Sequence, residues 1–358
     1  MSALSKRARA LAHLPASRRR AGVPGLSTLI GAAVGLLALG LLIRLSHPVR
    51  TWQALQRVPP GYLGLALLLD LPVVWLRSLR AGILLRRLGW RVPAGRMLLV
   101  QLVGQSSSSL SPAATGDAVR AYLWHREVGA PLGAGLAVVA FERVSSLLLM
   151  AGLGIACSAP VLWSGPAAIL GMVMGVTAAL APLWAAKWLP TWARRTFLRR
   201  PAGVPVVGHL AGRLGEPLDD IRTMLAGPGV VPAIAGLTMA AFVLAAMQVW
   251  LLAAGAGGPI PLWAGLGAYG LSQVGGILST LPFGLGAGDL LLAALLTRIG
   301  DQLSAGVSVA VLLRAVTTVP FAVAATAAYP LLRRSRPRVS PAVSDRLSSA
   351  EFEPAWPR

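Results

Sequence analysis

The sequence predicts an all-α, polytopic integral membrane helical bundle, with about six full spans and two broken, re-entrant helical hairpins forming an inverted repeat. Three observations carry that prediction. Of 358 residues, 55% are hydrophobic and 13% charged, and mean hydropathy is +0.68, a balance too apolar for a soluble protein. Apolar runs recur along the whole chain, with no polar block large enough to fold alone. Two of the runs are interrupted near their middles by turns of Pro, Gly and small residues.

Roughly 20 apolar residues carry a helix across the hydrocarbon. Segments 26–43, 61–76, 132–160, 165–187, 229–255 and 305–331 fit that length, allowing for tilt; the second is short and Asp70 interrupts it. Segment 26–43 follows a basic stretch, as a signal core does. It is longer than such a core and no small-x-small cleavage site follows, so it is expected to stay as an anchor. Stretches 97–131 and 263–300 break at Leu110-Ser-Pro-Ala-Ala-Thr-Gly116 and at Leu281-Pro-Phe-Gly-Leu-Gly-Ala-Gly288. Backbone freed by such breaks finds no partner in lipid and has to face protein or a wet cavity. Each stretch is therefore drawn as a hairpin that leaves on the side it entered.

Net charge is +21, but the basic residues lie between apolar runs instead of forming one face with aromatics, which argues against nucleic acid. Their placement reads as topology. Lys6 to Arg20, the run Arg77 to Arg96, the stretch Lys187 to Arg222 and the tail Arg333 to Arg358 are basic, whereas the opposite loops hold Arg44, Arg50, Arg57 and Arg298. The asymmetry predicts both termini in the cytoplasm of a bacterial-type inner membrane. Three parts follow: a basic tail 1–25, a membrane domain 26–332 with an amphipathic surface loop 190–228, and a second tail 333–358. Both tails lack apolar periodicity and are expected to be disordered.

The two broken stretches share a pattern. The first runs Gly116-Asp117, Gly129, Gly135, Arg143; the second runs Gly288-Asp289, Gly300, Gly306, Arg314. Eleven residues separate Asp from the next Gly in the first and ten in the second, and the later gaps of five and seven are identical. The first unit starts from the cytoplasm and the second from outside, so inversion would relate them, as in many secondary transporters. Independent hairpins with helix-packing glycines are the plainer alternative.

Several charges stand in apolar surroundings. Arg143 lies well inside a long apolar run, directly after Glu142, and Arg314 is similarly placed in the last span. Ionised groups at that depth cost at least a few kcal/mol and call for a cavity or partner. Adjacent helical residues point about 100° apart, so Glu142 and Arg143 need not pair with each other. Asp117 and Asp289 sit where short helices start, a place for N-caps and also for anions; Arg120, one turn after Asp117, offsets that carboxylate. Together the arginines suit a lipid phosphate. Asp70 stands alone in the second span; Arg77 and Arg80 are its candidate partners, but both are read as snorkelling to the membrane boundary.

These residues resemble a known family. Gly116-Asp117-x-x-Arg120, then Glu142-Arg143, then Leu281-Pro282-x-Gly284-x-Gly286 with Gly288, and an arginine in the last span look like the lysylphosphatidylglycerol synthase transmembrane (flippase-like) family. Trp75-Leu76-Arg77, Arg80 and Leu84-Leu85 fit its early helix, and the resemblance covers roughly residues 26–332. It implies movement or binding of a polar lipid, with Gly116, Asp117, Arg120, Glu142, Arg143, Pro282, Gly284, Gly286, Gly288, Asp289 and Arg314 at the headgroup site. The family commonly carries Pro-Gly-Gly-x-Gly with a glutamate soon after; here Phe283 and Leu285 intervene and the acid is Asp289. The namesake's soluble aminoacyl-transferase domain is not expected, since the chain ends soon after the last span.

The leading expectation is thus a lipid transporter that holds the phosphate-bearing headgroup of a membrane lipid in a midplane cavity lined by Asp117, Asp289, Arg143 and Arg314, with a membrane complex or homo-oligomer as possible assemblies. The alternative is an integral-membrane enzyme or accessory subunit acting on a lipid-linked donor. Asp117, Glu142 and Asp289 are too scattered to argue a catalytic set. Cys157 is the one cysteine and four histidines show no ligand spacing, so no metal is expected; no phosphate-loop motif occurs, and no cofactor is expected.

Overall fold

The computed structural model describes residues 48–110, 115–193, 219–227, 229–279, 286–300 and 303–334, together with Gly40 and Arg44. Among the described residues all regular structure is helical: α1 (Pro48–Arg57), α2 (Pro60–Arg87), α3 (Ala94–Leu110), α4 (Thr115–Val128), α5 (Leu132–Leu162), α6 (Pro166–Ala193), α7 (Val230–Gly255), α8 (Leu262–Leu278), α9 (Ala287–Gly300) and α10 (Leu303–Arg334). The chain is an all-α membrane bundle. Four described helices, α2, α5, α7 and α10, are long and apolar enough to cross a membrane. The anchor expected at 26–43, the tails and most of the 190–228 loop lie outside the described residues.

Local chemistry sets the boundaries. Pro59, Pro131 and Pro261 stand at the N-caps of α2, α5 and α8 in extended or near-extended backbone, where a missing N–H costs nothing. Gly129 and Gly257 take positive φ of 71° and 83° in the turns before α5 and α8, a conformation open chiefly to glycine. Asp70 does not shorten the second span: α2 continues through it for 28 residues, because the carboxylate is buried beside a partner on α7.

Helices α2 and α7 pack antiparallel. Val58 and Tyr62 approach Gly255, Ala66 and Asp70 meet Gln248, Arg80 meets Thr238, and Arg87 reaches Gly227. Small residues permit the closest crossings elsewhere. A Cβ on Gly154 would stand 2.9 Å from Leu271 N, and one on Gly270 2.7 Å from Met150 O, so α5 and α8 touch backbone to backbone. Gly152 and Gly175 do the same for α5 against α6. Without a hydrophobic force between helices in lipid, such close approach is what dispersion needs.

Two apolar cores result. One joins Val58 and, on α2, Ala66 and Val73 to Phe242 through Ala253 of α7 and its C-cap Ala256, with residues of α8, α9 and α10. The other joins Ala81 to Leu85 of α2 and Val230 to Ile234 of α7 with residues of α3, α4 and α5. The α3–α4 hairpin thus belongs to one end of the α2–α7 pair and the α8–α9 hairpin to the other. Between the two cores lies a layer of polar and charged side chains.

The segments α3–α4–α5 and α8–α9–α10 are alike in length: 17, 14 and 31 residues in the first and 17, 14 and 32 in the second. The contacts are reciprocal, α3 packing on α10 and α8 on α5. Within each segment the glycine three residues into the long helix region packs at Asp+4: Gly135 against Ala121 and Gly306 against Ala293.

Candidate functional site

The polar layer is built from α2, α4, α5 and α7. Glu142 on α5 receives two guanidinium groups: Arg80 Nε donates to Oε1 at 3.0 Å and Arg120 Nη2 donates to Oε2 at 2.5 Å. Arg80 Nη1 also donates to Ser146 Oγ at 2.8 Å and Thr238 Oγ1 at 2.9 Å. Arg143 Nε donates to Asp117 Oδ2, and Arg120 Nη1 stands 3.8 Å from Asp117 Oδ1. Arg80, Asp117, Arg120 and Glu142 are all buried. Ions taken this far from water persist only when paired and hydrogen-bonded.

Helical geometry explains the division of partners. Glu142 and Arg143, adjacent on α5, face different ways and so serve different partners. Gly104 on α3 makes room for the arginine between them, since a Cβ there would collide with the Arg120 stem. Three guanidinium groups share two carboxylates in this cluster, which leaves one net positive charge.

The second segment repeats one part of the arrangement. Arg314 Nε donates to Asp289 Oδ1 at 2.8 Å, and Asp289 Oδ2 accepts from Gly286 N at 3.2 Å, with Gly286 at φ 87°. In each segment the arginine is the twelfth residue of its long helix and the aspartate the third of its short one. Each aspartate side chain is buried, at 8% and 5%, while Arg143 and Arg314 keep 43% and 28% of theirs exposed. Both carboxylates are thus held inside the fold by an arginine that also reaches open space. Gly116 and Gly288 are buried beside the aspartates; a Cβ on Gly288 would press on Ser272 O at 2.9 Å.

A further set of polar groups joins the layer from the other side. Gln248 Nε2 donates to Asp70 Oδ1 at 2.9 Å and to Ala66 O at 2.8 Å. Arg77 Nη1 donates to Gln105 Oε1 at 3.3 Å and stands beside Tyr269. Next to Arg80, an apolar cavity of about 250 Å³ opens between α5, α6 and α7, with Leu149, Val176, Ile234 and Met239 in its wall and Thr238 at its polar edge. Among the described residues no three or more metal-ligating side chains come together.

The expected site residues fall into three groups. Asp117, Arg120, Glu142 and Arg143, with Gly116 beside Asp117, form one cluster; Gly286, Gly288, Asp289 and Arg314 form a second; Pro282 and Gly284 lie outside the described residues. Two expectations are corrected. Arg80 does not snorkel, because its guanidinium turns inward to Glu142 and two hydroxyls. Asp70 pairs with Gln248 and not with Arg80. Reading the sequence also passed over Gln248 and Thr238. Their signal was there: they are the two side chains with hydrogen-bonding groups besides Trp250 in the 26 residues of α7, and polar residues in a span mark buried contacts.

A polytopic helical membrane protein with arginine–carboxylate pairs between two apolar cores is the class this geometry defines. Residues 28–325 match the lysylphosphatidylglycerol synthase TM region family, and the chain belongs to that family. Among curated proteins it is similar to the glycosyltransferase AglD of Haloferax volcanii, 35% identical over 124 residues, which is 34% of this chain and 20% of that protein. The chain thus spans about a fifth of the length of that relative. The family match makes this a membrane protein of a lipid-related family.

Proposed function

We propose that the chain is a flippase-like transporter of the bacterial inner membrane that moves a polar lipid, its phosphate-bearing headgroup held by Arg143 and Arg314. The observation that carries this reading is the unbalanced charge of the cluster, where among the described residues three guanidinium groups, one of them half-exposed, meet two carboxylates. One phosphodiester anion would neutralise it, and a guanidinium fork fits phosphate oxygens bidentately. The apolar cavity against Thr238 supports the same reading, since an acyl chain beside a held headgroup needs a dry wall.

The two segments are read as an inverted repeat, with both termini cytoplasmic. Support comes from their matched helix lengths, reciprocal packing, Asp–Arg pairs in register and the antiparallel α2–α7 pair. Broken hairpins entering from opposite ends and meeting charges at the centre suit alternating access around a fixed site. Each aspartate competes with the headgroup for its arginine, so loading one site releases a carboxylate. A second reading, favoured by the match to a glycosyltransferase, is an accessory membrane subunit that presents a lipid-linked donor to an enzyme.

Reconstitution into vesicles with headgroup-labelled phospholipids tests the proposal. Transport by the purified chain, lost in Arg143→Lys while folding is kept, is the expected result. Tight lipid binding without transport would favour the accessory subunit. Neither binding nor transport with any phosphate-bearing lipid would remove the headgroup assignment.

A further inference from the structure

Arg77 is a charge in the span interior that the ion pairs leave out. Its guanidinium donates from Nη1 to Gln105 Oε1 of α3 at 3.3 Å and stands beside the Tyr269 hydroxyl of α8. Both of these neighbours are neutral. Arg80, Arg120, Arg143 and Arg314 are each bonded to a carboxylate, but among the described residues no carboxylate is paired with Arg77. The one acid of α2, Asp70, is taken by Gln248, and its second oxygen has no partner, so it does not close on Arg77. A guanidinium keeps its charge in any protein setting and has more donors than these neighbours use. Arg77 is half-buried, so part of it faces open space.

Snorkelling does not account for this placement. Arg77 lies ten residues before the Arg87 end of α2, and Gln105 eleven after the Ala94 start of α3. At 1.5 Å per residue both stand about 15 Å from the turn joining the two helices, near the middle of a ~30 Å hydrocarbon layer. A guanidinium bonded at that depth has not reached the interface. Packing does not require it either. Counted back from the first residue of each hairpin, the place of Arg77 in α2 is taken in α7 by Ala245, which sits in the apolar core. The place of Gln105 is taken by Gln273. The amide thus occurs in both halves and the arginine in one.

A cation at this depth with neutral neighbours calls for an anion. Arg314 of α10 is close enough to act on Tyr269 as Arg77 does, and the Tyr269 ring is packed on Phe242 with centroids 5.7 Å apart. We propose that Arg77, Gln105 and Tyr269 form an anion subsite beside Arg314 that takes a phosphate group. It deepens the proposed function, on which the lipid as source of that phosphate rests. Arg143 and Arg314 receive phosphate by loosening their aspartates, and opening a buried ion pair is costly. Arg77 breaks no ion pair, so it makes the first contact. The Gln105 amide holds the guanidinium in place, and the Tyr269 hydroxyl is a second donor to a phosphate oxygen.

Binding to the full chain in neutral detergent micelles tests the subsite without transport. The probes are phosphatidic acid and the diacylglycerol of the same acyl chains, which differ by the phosphate, and the readout is the midpoint of thermal aggregation. A ligand of the folded state raises that midpoint. The expected result is a rise with phosphatidic acid alone. In Arg77→Gln the lipid needed for half the rise is expected to increase about tenfold or more, the loss of a charge-assisted contact. Arg86→Gln, at an exposed arginine near the end of the same helix, is expected to titrate like the parent. Equal weakening in both variants would mean attraction to the basic rim and overturns the subsite, as does an Arg77→Gln titration like the parent's. Arg143→Gln keeps the two proposals apart. If it alone loses binding, the headgroup assignment stands and the subsite falls; if Arg77→Gln alone loses binding, the subsite stands and the assignment to Arg143 falls. A rise with glycerol 3-phosphate equal to that with phosphatidic acid overturns the lipid as the source. Should Arg77→Gln fail to fold, phenylglyoxal modification of the unsubstituted chain decides. Phosphatidic acid protecting Arg77 more than Arg86 supports the subsite, and equal protection overturns it.

Discussion

Glu142 is the residue on which the polar layer turns. Its carboxylate accepts from Arg80 and Arg120, both buried. Glu142→Gln leaves Arg80 without its carboxylate and Arg120 with the longer contact to Asp117, and breaking a buried pair in this way costs roughly 3–5 kcal/mol. Unfolding in mixed micelles is expected to show a loss of that size, and a loss under about 1 kcal/mol would mean the cluster is hydrated and weak. Arg143 is different in kind. Its half-exposed side chain tolerates removal of the charge better, so Arg143→Ala is expected to leave folding closer to the parent while abolishing lipid handling. Arg143→Lys separates charge from geometry, because an ammonium cannot reproduce a planar fork. If Arg143→Lys transports normally, bidentate recognition is wrong. Arg80→Ala is expected to resemble Glu142→Gln in its stability loss, contrary to a snorkelling role, and the same micelle assay measures it.

At the scale of elements, glycines decide which helices touch. Gly152 and Gly175 let α5 and α6 meet at backbone distance, and Gly154 and Gly270 do so for α5 and α8. A Gly270→Val substitution meets backbone on α5, which cannot move aside as a flexible side chain would. Overpacking of that kind costs typically 1–3 kcal/mol, and detergent-resistant folding measured by thermal aggregation is expected to fall accordingly. Gly236→Val, on an open face of α7, is the control and is expected to change little. A matched loss at both positions would mean that glycine content in general, and not the α5–α8 crossing, sets the stability. The short hairpins follow the same rule: their breaks were legible as Pro/Gly turns, but the core each hairpin joins depends on which helix its small residues let it approach.

At the scale of the whole molecule, the antiparallel α2–α7 pair sets the frame. Its contacts run from Val58 and Gly255 at one end to Arg87 and Gly227 at the other, with the basic run Arg77 to Arg96 toward the second end. On the proposed topology the positive-inside rule predicts a cytoplasmic location for that end and for residues 190–228. In a Cys157→Ala background, Arg222→Cys is expected to escape an impermeant thiol reagent added to intact cells and to react after permeabilisation. Labelling in intact cells would reverse the topology.

Composition, periodicity and arginine placement are local properties, and they sufficed for what they could reach: a helical membrane bundle, the long spans beginning near residues 60, 132, 230 and 304, and the aspartates and arginines in apolar surroundings. Asp117 with Arg143 and Asp289 with Arg314 were legible as one pattern twice, since spacing along the chain records a repeated unit. Partnership was not legible. Arg80 lies 62 residues from Glu142 and 158 from Thr238, and Asp70 lies 178 from Gln248. Along one helix an arginine near a span's end looks the same whether it reaches out to water or in to a carboxylate. Only packing decides, because the cost of desolvating a charge is offset by whatever the neighbouring helices present at that depth. The sequence by itself therefore determined which residues had to find a partner, and the tertiary structure decided which partner each one found.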